Sequence, residues 1–266
     1  MSAPFQLAVL GIAAWAPGLP DWNRLAACAR GESEPLAEAP RRPAPDMLPA
    51  NERRRAPDSV LLALQVAQAA CQAANRAPSS LPSVFTSTHG DLAITDYMCQ
   101  TLATAPSEIS PTKFHNSVHN AAAGYWTIGS GCHQPATAIS AYRGSFAQGL
   151  LESALQIDEG AEAVLLVAYD SASVGPLSKV SCSEGLLGFA LVLAAAGTAR
   201  DASLPGVSLQ YSNQPCSEPV DSRLQQAFGG NAMAPCLILA DALAGRRQRC
   251  SLPAAAQQSL DLELHW

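Results

Sequence analysis

The chain has 266 residues, of which 48% are hydrophobic and 14% charged, with a net charge of −6. The length admits one large or two small domains with a sizeable core, and the acidic balance excludes a broad basic footprint for nucleic acid or an anionic membrane. A monomer ordinarily carries about a quarter charged residues, so the low charge favours an oligomer with a large buried face.

The first apolar run, Leu7–Ile12, reads as a buried strand. No basic segment precedes it, so no secretory signal is expected and the chain is assigned to the cytoplasm. Trp15–Leu19 is a turn, with Pro17 and Pro20 fixing φ, and Asp21 can cap a short helix running to Cys28. Residues 31–57 hold Pro35, Pro40, Pro43, Pro45, Pro49 and Pro57 and form a surface excursion within one domain spanning 1–266. The basic run Arg53–Arg55 sits there as a solvated loop end.

Ser59–Asn75 is a helix with a broad apolar face, capped by Asp58 or Ser59. Ser83–Thr88 reads as a strand and Asp91–Ala103 as a helix, while 105–120 is a polar loop. The stretch 109–170 then runs through loop, buried turn, apolar segment, tight corner at Tyr142-Arg143-Gly144, helix from Ser145, and strand at Ala163–Tyr169. Gly188–Ala194 is another buried strand and Gly206–Tyr211 an edge strand. Residues 212–235 are irregular. Pro235–Ala244 fits strand or helix equally. Leu260–Trp266 alternates as an edge strand does. This order favours a layered α/β/α sandwich. The longest apolar run, Leu186–Gly197, is shorter than the ~20 residues a bilayer span needs.

The motifs of common chemistries are missing. His115 and His119 are four apart, but a zinc protease pattern needs Glu where Asn116 stands. The eight cysteines (28, 71, 99, 132, 182, 216, 236 and 250) form no CxxC pair, so neither a metal site nor a disulfide framework is expected. Cys132 and His133 are sequence neighbours, which do not ordinarily face each other as a dyad. The glycines fit no phosphate-binding fingerprint, and GxSxG is absent. No cofactor is expected.

Ile109-Ser110-Pro111, then Asn120–Gly124 (NAAAG), then Gly131, Pro135 and the helix from Ser145 resemble the N-terminal half of β-ketoacyl synthases. Leu7–Pro17, Leu48–Arg55 and the strands at 83–88 and 163–169 fall in the same order. The resemblance covers roughly residues 5–210 and implies a thiolase-like α/β/α fold. In such synthases a Thr-Ala-Cys-Ser-type corner sets the nucleophilic cysteine at the start of a buried helix. There the helix dipole lowers the thiol pKa. Counting from Gly124 or back from Gly160 puts that cysteine at Arg143, and a one-residue slip puts it at Tyr142. Neither carries an acyl thioester, and a guanidinium is no nucleophile at pH 7. The second synthase half, with its two catalytic histidines, has no counterpart before Trp266.

The resemblance therefore implies a non-catalytic subunit of the chain-length-factor type, of the short form tied to aryl polyene or related pigment synthesis. Such a subunit pairs with an active β-ketoacyl synthase, meets acyl carrier protein through that complex, and limits product length in polyketide or fatty-acid-type elongation. Phe114, His115, Val118, Asn120, Ile139, Tyr142 and Arg143 would line the shared acyl channel or interface. A rival expectation is a small thiolase-fold acyltransferase or hydrolase using Cys182 or Cys132, and a third is a self-assembled binding module.

Overall fold

The computed structural model describes residues 4–198, 201–216 and 222–266. Its frame is one eight-stranded sheet. The strands are β1 (Phe5–Trp15), β2 (Ser83–Thr86), β3 (Ala136–Ile139), β4 (Ala163–Asp170), β5 (Leu187–Ala195), β6 (Gly206–Ser212), β7 (Arg249–Ala255) and β8 (Gln258–His265), in the spatial order β3-β2-β4-β5-β1-β6-β8-β7. β3, β2 and β4 run parallel, and every other pair is antiparallel.

The central strands are apolar on both faces because helices cover both. Along β4, Val164, Leu166 and Ala168 point to one layer, and Leu165, Val167 and Tyr169 to the other. β1 sends Leu7 and Val9 to the first layer, then Ile12 and Ala14 to the same layer. The parity changes because the register with β5 shifts between Val9 and Gly11; an extra residue in a bulge turns every later side chain over. The shift also brings α3 close: a Cβ at Gly11 would overlap the backbone at Ala70 and Ala74.

One layer holds α3 (Asp58–Ala73) and α6 (Ala121–Ser130), with Leu62, Val66 and Trp126 among its buried side chains. The other holds α1 (Trp22–Ala29), α7 (Ser145–Asp158), α8 (Arg223–Phe228) and α9 (Cys236–Ala244), with Phe146, Leu150 and Leu237 in its core. β6, β7 and β8 turn Leu209, Leu252 and Leu262 into that same layer. β3 and β7 are the two ends of the sheet, about 33 Å apart if it were flat. Even so, β7 touches α7 and the turn at 142–144, so the sheet coils around the α7 layer.

Several expectations need correction. The excursion at 31–57 contains a short helix, α2 (Ala50–Arg55). The 105–120 loop contains α5 (Pro111–His115), capped by Ser110 with Pro111 in its first turn. α4 (Leu92–Thr104) is capped by Asp91, and α1 by Asp21 as expected. Neither Asp58 nor Ser59 caps α3: Pro57 holds that position, and Ser59 Oγ donates to Asp91 Oδ2 at 2.7 Å. β6 is internal, between β1 and β8, and β8 is covered in turn by β7. β7 is the edge on this side of the sheet, which suits Pro253, since proline cannot donate to a ladder. α8 lies in the stretch read as irregular, and Pro235–Ala244 resolves as helix. Pro219, counted in that irregular stretch, lies outside the described residues.

Candidate functional site

β3 leads into the corner, where Ala141 is followed by a 3-10 turn at Tyr142–Gly144 and then α7. Tyr142 has φ +52°, in the left-handed region that costs a side-chain-bearing residue energy. Ser145 holds the turn closed. Its Oγ donates to the Tyr142 carbonyl at 2.7 Å and accepts from Ala141 N–H at 3.0 Å. Thr86 Oγ1 donates to the Ser145 carbonyl at 2.8 Å, tying the helix start to β2. Gly144 is buried, and a Cβ there would overlap the carbonyl oxygen of Ala254 on β7. Gln148 Nε2 donates to that same carbonyl at 3.2 Å. The backbone of β7 thus occupies the space over the first turn of α7.

Beside the corner is a cavity of about 730 Å³ bordered by Tyr142, Arg143, Thr88, His89, Ser181 and Cys182. His89 Nε2 and Ser181 Oγ share a short hydrogen bond. Behind it Asp170 is buried, accepting from Ser87 Oγ at 2.6 Å and Thr88 N–H at 3.0 Å. Burial pushes the Asp170 carboxyl above the ordinary range, against the pull of those hydrogen bonds and of nearby His89.

A second, larger depression of about 1030 Å³ lies over α5 and α6. Phe114 and His115 on α5, Val118 in the following turn and Asn120 before α6 all border it, together with Met47, Leu48 and Ile128. Phe114 is 60% exposed, Val118 51% and Ile128 83%. His115 packs edge-on to Tyr125, whereas His119 Nε2 lies 3.0 Å from the Ser87 carbonyl, so the two histidines serve different partners. Among the described residues β3 pairs only with β2, and its outer edge is open.

The residues singled out from sequence therefore separate. Phe114, His115, Val118 and Asn120 share the groove, and Tyr142 and Arg143 border the cavity. Ile139 is half-buried on β3 against the α7 layer. Cys132 is buried with its Sγ 3.5 Å from the Leu81 carbonyl, while Cys182 is exposed. Ser145, Thr88 and the Gly144–Ala254 contact were missed. Only the serine at the helix start gave a signal, as a hydroxyl able to bond the preceding turn. Among the described residues, no group of three or more His, Cys, Asp or Glu could hold a metal ion, and no helix is long and apolar enough to cross a membrane.

A mixed sheet between helical layers, with a parallel strand feeding a strained corner and a buried helix, defines the thiolase-like ketosynthase fold. The β-ketoacyl synthase N-terminal domain family matches residues 22–255, and the chain belongs to that family. Three solved structures are similar across nearly the whole chain. A chain of the ketosynthase (ApeO) in complex with its chain length factor (ApeC) from Xenorhabdus doucetiae matches at TM-score 0.75 and 23% identity, covering 97% of this chain and 99% of that one. A chain of the ishigamide ketosynthase/chain length factor matches at TM-score 0.73 and 15% identity, covering 98% and 100%. The third is a chain of a type II acyl-carrier protein in complex with its ketosynthase bound to the hexaketide (AntDE:AntF), at TM-score 0.73 and 13% identity, covering 100% and 99%. At these identities the likeness establishes the fold. No curated protein matches the sequence.

Proposed function

We propose that this chain is a non-catalytic, chain-length-factor-like subunit that pairs with an active β-ketoacyl synthase in the cytosol. Through that complex it meets acyl carrier protein and limits the length of a polyene or polyketide chain. The observation that carries the reading is the corner. The strained position at the start of α7 holds Tyr142, followed by Arg143, where a synthase sets its thiol. The strain falls on Tyr142, beside Arg143, and neither side chain can carry an acyl thioester. The open edge of β3 and the exposed Phe114, Val118 and Ile128 support a partner face, since apolar side chains at this density favour burial. Phe114, His115, Val118 and Asn120 would lie where the partner face meets the shared acyl channel, with Ile139, Tyr142 and Arg143 flanking that channel.

Co-expression with a β-ketoacyl synthase that carries the catalytic cysteine tests this. The expected result is a stable complex, with the isolated chain neither decarboxylating malonyl-carrier protein nor condensing it. Condensation by the purified chain alone overturns the reading. One observation favours a second reading. Cys182 is exposed and borders the same cavity as Tyr142, as a nucleophile of a small acyltransferase or hydrolase would. An acyl adduct on Cys182, seen by mass spectrometry after incubation with an acyl thioester, would select it.

A further inference from the structure

The cavity beside the corner has an electrostatic character opposite to that of the chain. The protein carries a net charge of −6, yet among the described residues no Asp or Glu borders this cavity, while Arg143, Lys179 and His89 do. Arg143 and Lys179 are exposed, and neither forms a salt bridge among the described residues. Of the carboxylates nearby among the described residues, Glu184 and Asp170 are held away from the cavity. Glu184 sits against Gly230, and Asp170 is buried behind Thr88, where its hydrogen bonds from Ser87 and Thr88 turn it inward.

The second observation is Thr88. It is 7% exposed, it borders the cavity, and its Oγ1 is buried without a hydrogen-bond partner. A buried hydroxyl left unpaired is costly, and a ligand oxygen accepting from it removes that cost. The wall beyond is apolar, through Val180, Ile238 and Pro253. A volume of about 730 Å³ lies in the range of small-molecule sites.

We propose that this cavity binds a small organic oxyanion, a phosphate or carboxylate on an apolar body, with Arg143 and Lys179 as charged anchors and Thr88 as hydroxyl donor. The site shares Arg143 with the chain-length reading but needs no partner synthase, so the two can fail separately. It also gives Arg143 a task at a corner that has no nucleophile.

Calorimetry on the full chain at low ionic strength, with octyl phosphate, octanoate and octanol as probes, tests the proposal. The two anions should bind at least about tenfold more tightly than the alcohol, because charge-assisted hydrogen bonds to Arg and Lys discriminate between them. The stronger of the two identifies phosphate or carboxylate as the natural head group. The exposed double variant Arg143→Ala/Lys179→Ala should lose about tenfold or more for the anions and leave octanol unchanged. Thr88→Val should lose a smaller factor. Amide shifts in the NMR spectrum should fall at Thr88 and Gly229–Asn231. No binding, equal affinity for anion and alcohol, unchanged affinity in the double variant, or shifts confined to another face would each overturn it.

Discussion

The carbonyl oxygen of Ala254 is seated on Gly144, leaving no volume for even a methyl group at the start of α7. Gly144→Ala should therefore force β7 away from the corner and lower stability by about 1–3 kcal/mol, the range of an overpacked site. Denaturant unfolding measures it. A change within a few tenths of a kcal/mol would mean that β7 yields without cost.

Tyr142 is 58% exposed and has φ +52°, so its side chain contributes little packing while its backbone is strained. Tyr142→Gly removes the strain, and the expected outcome is a gain of up to about 1 kcal/mol in thermal or denaturant unfolding. A loss would show that the ring packs more strongly than its exposure indicates.

On the proposed function, substitutions in the groove should separate docking from product control. Ile128→Asp places a charge on the most exposed large apolar side chain of α6. It should abolish co-purification with the synthase while leaving the melting temperature of the isolated chain within a degree or two, as for other surface changes. Val118→Phe should keep the complex and shorten the product, read by mass spectrometry of the released chains. Products of unchanged length would remove Val118 from the channel.

Asp170 gives a pH signature. Its folded pKa is raised by burial above the unfolded value of about 3.9, so the folded chain holds the proton more firmly than the unfolded chain does. Its contribution therefore favours folding at low pH, below the unfolded value. That contribution is lost as pH rises through the raised folded value. Asp170→Asn lacks this titration. The difference in unfolding free energy, wild type minus variant, should fall with rising pH across that window. Parallel profiles would count against it.

The cysteines should divide by environment. Burial pushes the thiols of Cys71 and Cys250 up to about 12, while Cys99 and Cys182 are exposed. Iodoacetamide at mildly alkaline pH should alkylate Cys99 and Cys182 first and spare Cys71 and Cys250 in the folded chain, since the thiolate is the reacting form. Peptide mapping reads the order.

Local signals carried much of the fold. Continuous apolar runs marked β1, β4 and β5, because strands covered on both faces need no alternation. Asp21 marked the start of α1 through its side-chain bond to Arg24 N–H. What was hidden is non-local. The alternation of Gly206–Tyr211 resembles an edge, yet β8 covers it, and nothing in that short run reports a partner about 50 positions away. β7 was missed because Pro253 and Ala254–Ala256 carry little strand propensity; pairing with β8 overrides that preference. The corner read at Tyr142-Arg143-Gly144 coincides with the 3-10 turn before α7. Its backbone strain, which falls on Tyr142, depends on Ser145 and on β2 closing around it.

The bond from Gln148 to the Ala254 carbonyl spans 106 residues. On a ribosome adding ~5–20 residues per second, the first turn of α7 emerges several seconds before the strand that covers it. During that interval the corner is open to solvent and to whatever is bound there. The groove over α5 and α6, proposed above as the partner face, is built from residues before 130 and emerges first. On that proposal, a nascent chain would present its docking surface to a synthase before its own corner has closed.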